Sequence, residues 1–279
     1  VPGSYLEILP AQGPSSASAA VRDIVFVCPK LAASGAWVAN TRYRVRNEAE
    51  AIAGAGSGSP LHRALRASLS RNKTAKHWAV PYLPTSGGVP VAATSTVTWT
   101  TDPTGTGVTK VTVSGEECSF AYVDASTVTT IAAGMVAAIN AKPWLPCTAT
   151  SAVGVATLTA KIAGVSQGDG TTGVIKVRAE IDSGTGTSVA TTGALGLGAG
   201  VDGAEGTTTE LMNLTAALAT LDAVRHYYIV ITAWAATSLA ALALHIATKT
   251  EPRRGLRSVG ITANTGALAA AQALAIARN

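Results

Sequence analysis

The pattern of apolar and polar positions divides the chain into three stretches. In the first, residues 23–28 (Asp-Ile-Val-Phe-Val-Cys) form a short unbroken apolar run stopped by Pro29, which predicts a buried strand. Asn47-Glu48-Ala49-Glu50 has the spacing of a capping box and opens a short helix to about Ile52. A Gly/Ser loop follows, and Ser59-Pro60 then starts a second helix, a cap with proline in the first turn. Leu61, Ala64, Leu65 and Leu69 make its apolar stripe, and it ends near Arg71-Asn72. Residues 77–83 read as a strand. The first twenty residues, with Pro2, Pro10 and Pro14, read as an extended arm rather than a core element.

At Thr85-Ser86-Gly87-Gly88 the composition turns rich in Thr, Val and Gly and stays so to about Gly206. Alternating or continuous apolar runs predict strands at 91–100, 108–114 and 118–123, with Gly115-Glu116 turning between the last two. Asp124 or Ser126 caps a helix to Asn140 that carries Val128, Ile131, Met135 and Ile139 on one side and is closed by Pro143. Further strands are expected at 147–150, 153–162 and 174–181, and a Gly-rich connection at 184–206. Beyond it, Leu211, Leu214, Leu218 and Leu221 mark a helix. A strand at 227–232, a helix capped by Thr237 or Ser238, a strand at 257–262 and a helix at 265–277 complete the chain. This rhythm predicts an α/β fold. Its core is a helix-covered, largely parallel sheet built from 21–84 plus 207–279 and interrupted by a β-rich (α+β) inserted domain at 88–205.

Composition sharpens this picture. Apolar residues make up 47%, aromatics only 5% and charged residues only 13%, so the core is built from small aliphatic side chains and the surface from Thr, Ser, Gly and Ala. Few charges on a surface favour packing against copies of itself, because little has to be desolvated. The net charge of +5 comes without a nucleic-acid motif or basic-aromatic interleaving, so no nucleic-acid partner is expected. Cys28, Cys118 and Cys147 are odd in number, far apart and without CxxC spacing, and read as free buried thiols rather than metal ligands. The N-terminus lacks a basic segment followed by an apolar run, so no signal peptide is expected. Residues 226–248 carry no Asp, Glu, Lys or Arg but divide into a strand and a capped helix, which argues against membrane insertion.

Several motifs occur together in an order that carries a resemblance. Tyr43-Arg44-Val45-Arg46-Asn47-Glu48-Ala49-Glu50-Ala51 is followed by Gly56-Ser57-Gly58-Ser59-Pro60-Leu61 and then by Trp78-Ala79-Val80-Pro81. Within the inserted stretch come Ala137-Ala138-Ile139-Asn140-Ala141, Leu145-Pro146 and Val155-Ala156-Thr157-Leu158-Thr159-Ala160-Lys161. Tyr227-Tyr228-Ile229-Val230 and the ending Leu274-Ala275-Ile276-Ala277-Arg278-Asn279 complete the series. In this order the chain resembles the contractile tail sheath proteins of Mu-like phages, whose core is often called subtilisin-like. The resemblance implies a virion structural protein, assembled in the host cytoplasm, in six-fold discs stacked helically around a tail tube. Its partners would be other sheath subunits, the tube, the baseplate and the tail terminator. Contraction would be a rigid-body rearrangement between two packings, driving the tube through the host envelope, with no cofactor. Members of the family usually continue past the Arg-Asn ending into a tube-facing domain. The expectation is therefore a core piece without that domain, monomeric by itself, or else an unusual short form of the subunit. The arm at 1–20 is a candidate for joining neighbours by strand addition.

No catalytic, cofactor or metal site is expected. The four histidines, His62, His77, His226 and His245, fall in no Ser-His-carboxylate pattern, and no nucleophile-elbow context appears. Gly196-Leu197-Gly198-Ala199-Gly200 follows no clear strand and reads as a linker rather than a dinucleotide loop. Two basic clusters, Arg63, Arg66 and Arg71 on one helix and Arg253, Arg254 and Arg257 near the end, are candidate intersubunit or tube contacts. Lys73 and Lys76 follow the first, and Arg42, Arg44 and Arg46 alternate along an extended run. Two other classes of function fit less of the chain: an adhesion or binding protein using the β-rich insertion, and a hydrolase with an α/β core.

Overall fold

The computed structural model describes residues 23–83, 92–163, 175–184, 186–192, 206–223, 228–232, 236–250 and 259–262. The arm at 1–20, the Gly196 loop, Arg253, Arg254, Arg257 and the helix expected at 265–277 lie outside the described residues. What is described is a mixed α/β protein with three sheets.

The first sheet has five strands. They are β1 (Asp23–Pro29), β2 (Tyr43–Val45), β3 (Lys76–Tyr82), β11 (Tyr228–Ile231) and β12 (Val259–Thr262), in the order β12-β11-β1-β3-β2. All neighbours run parallel except β2, which pairs antiparallel with β3. The central strand β1 shows why its sequence is a continuous apolar run. Val25 and Val27 face the helices α4 (Gly206–Ala219) and α5 (Ala236–Thr250), against Leu214, Leu218, Leu239 and Leu242. Phe26 and Cys28 face the other way, onto α1 (Glu48–Ala55) and α2 (Pro60–Arg71), against Ala51, Ala55, Leu61 and Leu65. A parallel strand covered on both faces has no polar side to show in its sequence.

Between β3 and α4 lies the β-rich stretch. β4 (Ala92–Trp99), β7 (Cys147–Ala152), β8 (Val155–Ala163) and β10 (Val189–Thr192) form an antiparallel sheet in the order β10-β4-β8-β7. β5 (Gly107–Val113), β6 (Glu116–Tyr122) and β9 (Val177–Ser183) form another in the order β6-β5-β9. The helix α3 (Val128–Asn140) inserts Ile131, Met135 and Ile139 into a core shared with Trp99, Val111, Tyr122, Leu145 and Leu158. β8 alternates buried Ala156, Leu158, Ala160 and Ile162 with less buried neighbours, the period-two pattern of a strand with one dry face.

The caps follow local rules. Asn47 accepts from the Glu50 amide at 2.8 Å, while a Glu50 carboxylate oxygen accepts from the Arg46 amide at 2.9 Å. The Ser59 hydroxyl accepts from the His62 amide, with Pro60 starting α2.

Some boundaries differ from the sequence expectation. The β5–β6 turn is Ser114-Gly115, one residue earlier than Gly115-Glu116, because Val113 pairs with Glu116 and both turn residues adopt positive φ (49° and 87°). α3 is capped by Thr127, whose hydroxyl accepts from the Thr130 amide, and not by Asp124 or Ser126. Asp102, far upstream, accepts the Val128 amide at 2.7 Å, and Ser126 closes the preceding turn on the Val123 amide. α1 continues to Ala55, past Ile52. α5 begins at Ala236, so neither Thr237 nor Ser238 precedes it as a cap. The Gly-rich connection contains the strand β10, paired with β4 from Thr96 to Trp99; Thr and Ala give it no apolar signature.

Candidate functional site

The loop between α1 and α2 is where the two halves of the described chain are joined by polar contacts. Gly56 and Gly58 both have positive φ (82° and 86°). A side chain on Gly58 would stand 2.3 Å from the Leu145 carbonyl oxygen, so this position combines a backbone and a space requirement that only glycine meets. Ser57 donates its hydroxyl to the Pro143 carbonyl at 2.8 Å. The Lys161 amine donates to the same carbonyl at 2.6 Å and to the Ser57 carbonyl at 3.2 Å. Burial pulls the pKa of Lys161 below its ordinary value. The backbone of β8 is tied in as well, through the Lys161 amide to the Pro146 carbonyl.

A charged cluster lies alongside. Arg66 Nε is 3.2 Å from Glu48 and Arg66 Nη1 is 3.7 Å from Glu116, and its guanidinium sits 4.5 Å from the centroid of the Trp144 ring. Its carboxylate partners thus come from α1 and from β6. His62 is fully buried; its Nδ1 accepts from the Gly58 amide at 3.1 Å and its Nε2 faces Glu48 at 3.5 Å. The Gly58 bond assigns the ring proton to Nε2 in the neutral form. Desolvation is the main reason the pKa of His62 lies below normal, with Glu48 pulling the other way.

These contacts place the first group of candidate residues. Arg66 is engaged within the chain. Arg63 is half-buried beside Glu116 and Cys147, and burial lowers its pKa. Arg71, in the last turn of α2, is exposed. Sequence reasoning missed Lys161, Trp144, Glu116 and Ser57. Their partners are up to 104 positions away, and the one available signal was a lysine on the less buried face of an otherwise apolar strand.

The Ser-His pair of most chemical interest is Ser68 and His77, with Oγ 2.9 Å from Nε2. The ring is buried and stacked on Phe26, and a hydrogen bond to the Ala75 backbone orients it. Burial lowers its pKa. Among the described residues no carboxylate forms an ion pair with it, so this is a serine held by a buried ring rather than a triad. His245 lies 3.5 Å from Asp222. The three cysteines are free and buried. Burial pushes Cys28 up to about 12 and Cys147 up to about 11, and raises Cys118, which leaves them as inert thiols. Among the described residues no group of His, Cys, Asp and Glu is arranged to hold a metal ion, and no helix is long and apolar enough to cross a membrane.

No family model matches the chain, and no curated protein sequence matches it. Among solved structures, it is similar to a sheath tail protein of Listeria innocua, with 14% identity and a TM-score of 0.31 over 86% of this chain and 47% of that one. It is also similar to a sheath tail protein of Desulfitobacterium hafniense, with 13% identity and a TM-score of 0.32 over 92% of this chain and 52% of that one. The chain spans about half the length of each. At such identities and TM-scores the likeness by itself carries no statement about what this chain does.

Proposed function

We propose that this chain is a structural subunit, or the core piece of one, of a phage contractile tail sheath of the Mu-like type. In this reading it polymerises around the tail tube with other copies of itself, between baseplate and tail terminator, and contracts to drive the tube through the host envelope. The observation that carries the reading is what the resembling motifs do. Asn47 and Glu50 cap α1, Gly56 and Gly58 make the tight corner, Ser59 caps α2, and Ala79 and Val80 sit in the sheet core. Each of these residues sets the shape of the subunit through a cap, a turn or a place in the core. A protein whose recognisable residues are spent on a rigid body is suited to a lattice in which the same body is packed in two ways.

The same reading divides the chain into an extended arm at 1–20, an α/β domain at 21–84 plus 207–279 and an inserted β-rich domain at 88–205. Separate apolar cores support the division: one runs from Ala93 to Val177, and the others flank the five-stranded sheet. Arg71, Arg253, Arg254 and Arg257 remain candidates for contacts with neighbours or tube, with Arg63 and Arg66 turned to internal partners. Sedimentation tests both parts of the proposal. The full-length protein pellets as a large homopolymer, and replacing Arg253, Arg254 and Arg257 by Glu leaves more of it in the supernatant without unfolding it. A wild-type protein that never pellets contradicts the function; a variant that pellets normally contradicts only the role of the three arginines.

A further inference from the structure

The two faces of the five-stranded sheet are covered unequally. On one face α4 lies over β1 and β3, and α5 lies over β12. Gly260 shows how closely α5 sits, since a side chain there would stand 2.5 Å from Ile246 and 2.9 Å from Leu242. The parallel register puts Ile24, Phe26, Tyr228, Val230 and Ile261 together on the other face. There α2 lies over β1 and β3, and beside it an open groove of about 640 Å³ runs over β1, β11 and β12. Ile261 is 44% exposed at its far side, and Tyr228 and Val230 are only half-buried. Strands of a parallel sheet bury both faces, so this apolar row calls for a cover that the described residues do not supply.

We propose that the groove is filled by the segment 265–277 of this same chain, packed as a helix beside α2. The apolar pattern predicts a helix there, and only Ala263 and Asn264 separate it from the end of β12, a usual length for a strand-to-helix connection. A helix leaving β12 must turn onto one face of the sheet. Since α5 holds the opposite face, the groove is the face open to it. The segment carries Leu268, Leu274 and Ile276 and no charged residue from 263 to 277, so it has no strongly polar side to give to water. Its size fits too: a helix over 265–277 is about 20 Å long, and β1, with 7 residues, spans about 23 Å. Packed helices stand about 8–10 Å apart, about two strand spacings, so a helix beside α2 lies over β11 and β12. The wall that α2 turns to the groove is made of Ala64, Ala67 and Ser68, small side chains that permit a close approach. Topology and shape carry the proposal, independently of the sheath reading.

Thiol labelling of the whole 279-residue chain tests it, because the three native cysteines are buried. Ala67→Cys places a reporter in the wall of the groove, and Ala243→Cys places one on the exposed side of α5. With the groove filled, A67C should react with a disulfide reagent at least about tenfold more slowly than A243C. Adding L268D/L274D should speed A67C at least about tenfold and leave A243C unchanged. If that double change perturbs folding, A67C/A271C serves instead: a short bismaleimide should join the two cysteines within one chain, and the product should run as a monomer. Equal rates for A67C and A243C overturn the proposal, as does an A67C rate that L268D/L274D leaves unchanged or an absence of the intrachain cross-link. Protection that grows with protein concentration, or cross-links found only in dimers, also overturns it, because a second copy would then fill the groove.

Discussion

His62 and His77 are held neutral by burial, and this makes stability depend on pH in a defined direction. Both have folded-state pKa values below the ordinary 6.5, with desolvation the largest cause. Below that pH the unfolded chain binds protons that the folded chain refuses, so stability is full above it and declines as pH falls. Thermal unfolding followed from pH 8 to pH 5 should show a flat midpoint that drops below about pH 6.5. His77→Gln should shallow the drop, and an unchanged slope in that variant would show that His77 is not one of its sources. The arginines on α2 separate in the same manner. Arg66 touches Glu48, Glu116 and Trp144, whereas Arg71 is exposed. With Arg66 a third exposed, Arg66→Ala should cost about 1–2 kcal/mol and Arg71→Ala less than about 0.5 kcal/mol in urea unfolding. Equal costs would contradict the internal role given to Arg66.

At the scale of elements, the two hairpins of the β-rich stretch show how backbone rather than packing sets a turn. Gly115 has φ 87° and nothing within 4 Å of where a side chain would stand, so Gly115→Ala isolates the backbone cost, about 1–2 kcal/mol. In the β7–β8 turn, Val153 has φ 42° and is 86% exposed, a β-branched residue in a region that suits Asn. Val153→Asn should stabilise by up to about 1 kcal/mol in the same assay, and a loss of stability would mean that its side chain has a contact in the folded chain. The hairpins also show what was legible in the sequence. Strands with one dry face, such as β8, and helices with a full stripe, such as α2, announce themselves by period. The buried strand β1 does so by its unbroken apolar run. The short β10, made of Val, Ala and Thr, lies inside what the sequence presents as a Gly-rich connection, because its identity comes from pairing with β4. The cap of α3 is not legible at Asp124 or Ser126 because Asp102 and Thr127 share it, and a partner so far upstream leaves no local spacing to read.

The whole molecule shows the same contrast at larger range. The helix-covered parallel sheet and the interruption by β-rich sequence were readable, since each is a sum of local patterns. The seam was not. Lys161 reaches the carbonyls of Pro143 and Ser57, and Arg66 gathers Glu48, Glu116 and Trp144 from segments far apart in the chain. Such contacts exist only once the fold has formed. The resemblance to tail sheath proteins belongs to this scale too, since it rests on the order of many weak motifs along nearly the whole chain. Electron microscopy of the full-length protein tests it most directly. Hollow tubes built of stacked six-fold rings should appear as the protein is concentrated without nucleotide or cofactor. A protein that remains as discrete single particles at every concentration, in the presence of its own tail tube, would contradict it.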